Sequence, residues 1–342
     1  MANQKLKLQD IADICGVSSA TVSRIINQHG RYSAETEKLV LETIRKYDFV
    51  PNRLAKGLKA RRTNIIGVII PDISNEFFAK MVLTIQNYLF EQQYSVLLCN
   101  TNESLEIEQK CIHDLSGQYV SGYICIKGYQ QTDGLFPPDV PIVFVDRYPK
   151  HLNAGKKNVA YVSSDNERGG YLAAKELIDS GCRNLVMISG IANSSVTERR
   201  TAGFMSACAE YGVLFGHEQI YTPEVINYQE GGRVMREIID SGREFDGVFC
   251  QTDWLASGAQ AALIEAGFSI PEQVKLVGFD DISIASFCRN PFTTIHQYSD
   301  KIGTAACKLI LDMISDMTPE NRNILIPVTL VKRGTTTGAG RG

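Results

Sequence analysis

The sequence has no run of about 18 consecutive apolar residues, as a membrane-spanning helix requires, and its opening Met-Ala-Asn-Gln-Lys-Leu-Lys has no apolar stretch of signal-peptide length. The chain is expected to be soluble and cytoplasmic, with no membrane partner. It has a single tryptophan and five histidines scattered singly, and lacks Gly-x-x-x-x-Gly-Lys-Ser/Thr, Cys-x-x-Cys, His-Glu-x-x-His and Gly-x-Ser-x-Gly. That leaves little to support an enzyme, a metal site or a bound cofactor. Nine cysteines are an odd number, never closer than 12 positions apart and mostly inside apolar runs such as Val96-Leu97-Leu98-Cys99. They read as small buried hydrophobes in a reducing compartment, not as a disulfide framework.

What is present is an ordinary globular composition, 44% hydrophobic and 21% charged, over 342 residues. One core stops growing at roughly 250–300 residues, so at least two domains are expected. The net charge of −3 is unevenly placed: residues 1–62 hold 12 Lys and Arg against 6 Asp and Glu, a net of +6, and the remainder carries −9. A basic block ahead of an acidic one fits a polyanion contact confined to the N-terminus, an ordinary solvated surface being the alternative on charge alone.

In that block Leu8, Ile11, Ala12 and Cys15 fall at helical spacing, Gly16 ends the helix, and Ser18 is placed to cap a second one with Val22, Ile25 and Ile26 on its buried stripe. A third helix opens at Ser33 and is expected to bury Leu39, Val40, Ile44 and Tyr47. Two helices joined by a tight glycine turn make a helix-turn-helix, whose second helix enters the DNA major groove. Its outer positions are Ser19, Ala20, Thr21, Ser23, Arg24 and Asn27, short or hydrogen-bonding and with no acid. Ser19 and Ala20 would face base edges, and Arg24 could take guanine or phosphate. Residues 51–62 carry five basic side chains and no acid, with Leu54, Ala55 and Leu58 at helical spacing in a stretch too short to be a stable helix alone.

Leu8-Gln9-Asp10-Ile11-Ala12, Gly16-Val17-Ser18, Thr21-Val22-Ser23-Arg24-Ile25-Ile26-Asn27 and Pro51-Asn52-Arg53-Leu54-Ala55 together resemble the DNA-binding headpiece of the LacI/GalR family of bacterial transcription regulators. The resemblance implies that two 51–62 segments fold as a pair in the minor groove. There Leu58 would wedge into a base step, with Asn52, Arg53, Ala55 and Lys59 also at the DNA. A plain flexible linker is the alternative for this segment.

After Thr63, short apolar runs alternate with amphipathic stretches, giving strands near 65–70, 95–99, 122–126 and 142–145 and then a second series of similar length from about 168 to 279. This is the pattern of parallel α/β sheets. The expected architecture is a headpiece at 1–50, a hinge at 51–62 and an α/β body at 63–335 with two doubly wound lobes. The resemblance implies the periplasmic-binding-protein type I fold with three crossovers. Lobe one would take about 63–163 and 295–323, and lobe two about 164–294 and 324–335.

Ligands collect beyond the carboxyl ends of such strands. Asp72, Asp146, Thr252, Asp253, Asp280 and Asp281 follow strands directly, and carboxylates and hydroxyls backed by aromatics suit a polyhydroxylated ligand. The family motif around Arg199-Arg200-Thr201-Ala202-Gly203-Phe204 assigns the effector to Arg200, with Asp280, Asp146 and Thr252 at further effector positions and Phe77 or Phe78 as an aromatic floor. Thr252 stands where asparagine is common and Ile226 where many members place an aromatic ring. The resemblance therefore implies a homodimeric regulator, most simply a repressor, that binds double-stranded operator DNA under control of a sugar-like small molecule. Some members answer to a phosphoprotein coeffector in place of a free sugar, and that alternative stays open. A sugar-turning enzyme fused to a DNA-binding head, or a transport-type binding protein, would be the other classes; the headpiece counts against the second.

Overall fold

In the computed structural model, which describes residues 6–26, 29–49, 63–126, 135–147 and 157–337, the chain divides into two units, Met1–Thr63 and Asn64–Gly342. The first is built from α1 (Leu8–Cys15), α2 (Ser19–Ile26) and α3 (Ala34–Lys46). Gly16 ends α1 at φ 65°, a left-handed conformation that glycine adopts at little cost, and the Val17 amide reaches back to the Ala12 carbonyl at 3.0 Å. Ser18 Oγ then accepts the Thr21 amide at 3.1 Å, and Ser33 Oγ accepts the Thr36 amide at 3.1 Å, so both helices start on a serine cap. Ile11, Ala12, Val22, Ile25, Val40 and Phe49 form the core.

The buried stripe of α3 differs from the expected one. Leu39 and Tyr47 are 47% and 43% exposed; Val40 is buried and Ile44 packs against the core as expected, and Thr43 joins them on the inner face. A threonine can sit there because its Oγ1 donates to the Leu39 carbonyl at 2.8 Å, satisfying the hydroxyl within the helix.

The second unit has two lobes. Lobe one is a six-stranded parallel sheet in the order β11-β5-β4-β3-β1-β2, from β1 (Ile65–Ile70), β2 (Ser95–Asn100), β3 (Gly122–Cys125), β4 (Ile142–Val145), β5 (Val159–Ser164) and β11 (Asn323–Ile326). One face packs against α4 (Glu76–Glu91) and α11 (Ser299–Ile314), and the other against α5 (Leu105–Gly117). Lobe two has the parallel order β7-β6-β8-β9, from β6 (Leu185–Ile188), β7 (Ile220–Tyr221), β8 (Gly247–Cys250) and β9 (Lys275–Val277). Helices α6 (Asn166–Asp179) and α7 (Ser195–Glu210) cover one face, α8 (Tyr228–Asp240) and α9 (Asp253–Glu265) the other. A short helix, α10 (Ile284–Phe287), and the antiparallel pair β10 (Thr294–His296) and β12 (Thr329–Val331) complete this lobe. No described helix is long and apolar enough to cross a membrane.

Three crossovers join the lobes, but two lie later in the chain than the expected boundaries. Ile295 belongs to lobe two: it is fully buried there and its carbonyl accepts the Asp280 amide at 2.9 Å, so the chain leaves only after His296. Leu325, assigned from sequence to lobe two, lies in β11, which pairs with β5 in lobe one from Asn323↔Tyr161 to Ile326↔Ser164. Ile324 and Ile326 point into the lobe-one core while Asn323 and Leu325 face out, the alternation of an edge strand, and the return begins at Pro327. β5 itself, Val-Ala-Tyr-Val-Ser-Ser, was not among the expected strands.

Candidate functional site

On α2, Ala20 and Arg24 are exposed and Ser19, Thr21 and Ser23 half-buried, so the expected DNA face is an outer face of the N-terminal unit. Arg24 folds back along its own helix, its Nε donating to the Ala20 carbonyl at 3.3 Å with Nη2 3.5 Å from Thr21 Oγ1. Asn27, Asn52, Arg53, Ala55, Leu58 and Lys59 lie outside the described residues.

In the second unit the carboxyl ends of the strands face a cleft of about 850 Å³. Asp72, Phe77, Phe78, Asp146, Arg200, Ile226, Thr252 and Asp280 all line it. Each arrives by a local rule. Asp72 follows β1, and its carboxylate accepts the Ser74 amide at 2.8 Å and hydroxyl at 2.7 Å, closing the turn into α4. Asn75 caps that helix on the Phe77 amide at 3.0 Å, which sets Phe77 and Phe78 in the first turn with ring centroids 5.4 Å apart. Thr252 caps α9 on the Leu255 amide at 3.3 Å, so one hydroxyl serves both helix and cleft. Ile226 is half-buried against the core of lobe two.

Arg200 is the centre of the site. Only 3% exposed, it projects from α7; its Nε donates to Asn166 Oδ1 at 2.8 Å and its Nη1 to the Gln251 carbonyl. Nη2 lies 3.8 Å from Asp280 Oδ1, and the guanidinium carbon sits 3.5 Å from the Phe279 ring centroid, a cation–π contact. Burial lowers the pKa of Arg200 while Asp280 and Asp146 oppose the shift. Burial likewise pushes Asp280 up to about 7 despite the arginine, with Asp146 adding repulsion. Asp146 and Asp280 hold φ at 61° and 118°, conformations that cost free energy in a non-glycine residue and that cluster at functional sites.

The paired acids divide the work. Asp281 turns to Arg333 at 2.6 Å and His296 at 2.8 Å, and fully buried Asp253 accepts Thr294 Oγ1 at 2.6 Å and the Ile282 amide at 2.9 Å. Both act within the fold, outside the cleft lining.

Among the lining groups not picked out from the sequence, four stand out. Gln251 accepts the Gly190 amide at 3.0 Å and donates to Thr201 Oγ1 at 2.8 Å, bracing the β6–α7 loop. Gln297 Nε2 donates to Asp280 Oδ1 at 2.7 Å. Arg147 Nη1 donates to Glu103 Oε1 at 2.7 Å beside the Phe78 ring, and Trp254, the chain's single tryptophan, lies in the first turn of α9. Gln251 and Gln297 each follow a strand by one residue. The strand-end rule applied to amides would have reached Gln251, whereas Gln297 follows β10, a strand that the sequence pattern does not predict.

Residues 7–52 match the family described as bacterial regulatory proteins, lacI family, and residues 174–336 match a periplasmic binding protein-like domain. The ribose operon repressor of Halalkalibacterium halodurans is 31% identical over 331 residues, spanning 97% of both chains. The transcriptional repressor PurR of Pasteurella multocida is 30% identical over 334 residues, 95% of this chain and 97% of its own. Among solved structures, a transcriptional regulator CelR–cellobiose complex is 27% identical with a TM-score of 0.72, covering 96% of this chain and 99% of that one. A lac repressor dimer bound to operator and the anti-inducer ONPF shares the fold at a TM-score of 0.86 and 24% identity, over 98% and 100% of the two chains.

Proposed function

The chain belongs to the lacI family of bacterial regulatory proteins, and on that footing we propose that it is a homodimeric repressor whose grip on operator DNA is set by a sugar or sugar derivative held between the two lobes. The observation that carries the effector reading is the meeting of strand-end groups from both lobes in one cleft. Asp146 comes from lobe one, Arg200 and Asp280 from lobe two, and aromatic rings line both sides. Arg200 and Asp280 fix ligand orientation, and Phe77, Phe78 and Trp254 offer apolar faces to the carbon side of a sugar ring.

A ligand that touches both lobes prefers one lobe arrangement over another, and that difference in affinity is what can bias the DNA-binding state. Ala20 and Arg24 on α2 would meet the major groove, and the basic segment 51–62 the minor groove between two half-sites. A dimer supplies both half-sites. It is supported by an apolar strip on lobe one, where Leu83 and Phe90 on α4 and Leu97 and Leu98 on the edge strand β2 are 58%, 76%, 38% and 42% exposed. The relatives are repressors, and no step of catalysis is assigned to this cleft.

Thermal melts of the purified chain against monosaccharides, disaccharides, sugar phosphates, nucleosides and purines test the reading. A ligand at a hundredfold excess over its Kd stabilises the native state by about 2.7 kcal/mol. A carbohydrate that raises the melting temperature should also change operator affinity in a titration at fixed salt. Stabilisation by a purine alone would overturn the sugar assignment and leave the repressor standing.

A further inference from the structure

We propose that Glu76 and Ser283 form a latch between the two lobes. They are positioning residues outside the cleft lining that stabilise the lobe arrangement in which the cleft holds its ligand, and through it they set how readily the DNA-binding state responds. This rests on the effector reading above and adds to it.

The two residues are 207 positions apart and belong to different lobes: Glu76 opens α4 in lobe one, and Ser283 stands just before α10 in lobe two. The Ser283 amide donates to Glu76 Oε2 at 2.9 Å and its hydroxyl to Glu76 Oε1 at 2.7 Å, so one residue engages both carboxylate oxygens. A serine at a helix start ordinarily accepts an amide of its own helix. Ser283 makes no such bond, and its hydroxyl serves the other lobe instead. Next to it, Ile282 is 3% exposed and belongs to the buried cluster of lobe one that holds Phe77, Phe78 and Met81.

The loop that carries these contacts is fixed from behind. Asp280 and Asp281 take successive positive φ of 118° and 58°, strained values for non-glycine residues. Asp281 is tied to Arg333 and His296, and the Ile282 amide donates to Asp253 Oδ2 at 2.9 Å. On both sides the latch adjoins the cleft: Asn75 and Phe77 flank Glu76, and Asp280 precedes Ser283 in the same loop. A ligand held by Asp280 and by groups of lobe one spans the same gap, so ligand and latch favour the same lobe arrangement and each strengthens the other. Ser283 is exposed and the Glu76 side chain is 28% exposed, so the latch is weak enough to open when the lobes move. Lys80, 2.5 Å from Glu76 Oε1, lies on the same helix and cannot carry the coupling.

Trp254, the single tryptophan, lines the cleft and packs against the cluster that Ile282 joins, so its fluorescence reads the lobe junction in the full-length protein. The unmodified chain is compared with Glu76→Ala, Glu76→Gln, Ser283→Ala and Lys80→Ala on three readouts. These are acrylamide quenching of Trp254, affinity for a duplex that the unmodified protein selects from random DNA, and titration with D-ribose, D-glucose and D-fructose. Glu76→Ala should expose Trp254 to the quencher, change duplex affinity by about fivefold or more, and weaken whichever sugar saturates by a similar factor. Glu76→Gln loses the same charge but keeps an acceptor for the Ser283 amide and a donor for its hydroxyl oxygen, and should restore most of each effect. Lys80→Ala should match the unmodified chain. Unchanged duplex affinity in Glu76→Ala overturns the latch, whatever happens to the melting temperature. A Glu76→Gln variant as impaired as Glu76→Ala also overturns it, because charge at the helix start would then be the cause. Where Glu76→Ala fails to fold, Ser283→Ala at its exposed position decides: unchanged quenching and duplex affinity there overturn the latch. Saturation by none of the three sugars overturns the sugar reading alone, and the latch is then judged on quenching and duplex affinity.

Discussion

Replacing Arg200 with alanine tests the centre of the site on two readouts at once. The side chain is 3% exposed and tied to Asn166, the Gln251 carbonyl and Asp280, so the substitution leaves buried partners without a donor and a buried acid without its cation. Breaking a buried pair by removing one member costs about 3–5 kcal/mol. In a unit of this size that lowers the melting temperature by roughly 10 °C, at about 2–4 °C per kcal/mol. The loss should also depend on pH. Asp280 stands at about 7 in the folded protein against an ordinary 3.8, raised by burial and only partly offset by Arg200. A carboxyl with a raised folded pKa contributes stability that is complete below 3.8 and is lost as pH rises through about 7. That amounts to about 4 kcal/mol across the window at about 1.4 kcal/mol per pH unit. Without Arg200 the folded pKa climbs further, so the penalty of Arg200→Ala should be larger at pH 8 than at pH 6. Thermal melts at both values check this, and an equal loss at the two would refute the coupling between Arg200 and Asp280. Operator titrations with and without effector supply the second readout. The variant should bind operator normally and ignore the ligand, because the DNA-binding helices have their own core. A normal response would move the effector site elsewhere.

Helix packing in lobe two gives a paired stability test. A Cβ on Gly170 would stand 1.9 Å from the Arg200 carbonyl oxygen, so Gly170→Ala should cost several kcal/mol (about 3 or more) in urea melts. Gly117 at the end of α5 meets nothing within 4 Å, and Gly117→Ala should be neutral or stabilising by up to about 1 kcal/mol. Leu58→Ala should lower specific operator affinity far more than non-specific affinity in a salt-controlled titration, and equal losses would remove the proposed wedge. Phe90→Asp places a charge on the exposed strip of lobe one and should shift the protein toward monomers in sedimentation equilibrium, with weaker operator binding; an unchanged dimer would move the interface to another face.

The parts of the fold legible in sequence are those where local chemistry decides. The helix bounds of the N-terminal unit follow from Gly16, Ser18 and Ser33, each of which does alone what its residue type favours. The strands at 65–70, 95–100 and 142–145 are apolar runs long enough to stand out. The misreadings share one cause, which is that tertiary partners and not local pattern set the outcome. Leu39 is as apolar as Val40, but the helix turns Val40 and Thr43 inward, and a self-satisfied threonine hydroxyl makes a polar residue acceptable inside. Residues 324–326 of β11 lie in lobe one and not in lobe two as expected, because nothing local in Asn-Ile-Leu-Ile says which sheet it joins. Only its register against β5 decides that.

The site divides along the same line. Residue type and strand-end position are sequence properties, and of the six strand-end positions chosen on them Asp72, Asp146, Thr252 and Asp280 line the cleft, as do Phe77, Phe78, Arg200 and Ile226, which the family resemblance supplied. Which strand-end acid faces the ligand is not a sequence property. Asp280 and Asp281 are adjacent and identical, yet a φ of 118° turns one toward Arg200 and a φ of 58° leaves the other with Arg333 and His296. Thr252 and Asp253 part in the same way, the first to the cleft and the second to Thr294 and the Ile282 amide. Gln297 went unnoticed for the opposite reason: an uncharged amide gives no electrostatic signal in a sequence, and its importance appears only when its nitrogen is seen committed and its oxygen left over. Which acceptors remain for a ligand to satisfy is therefore set by the hydrogen bonds already made around the cleft.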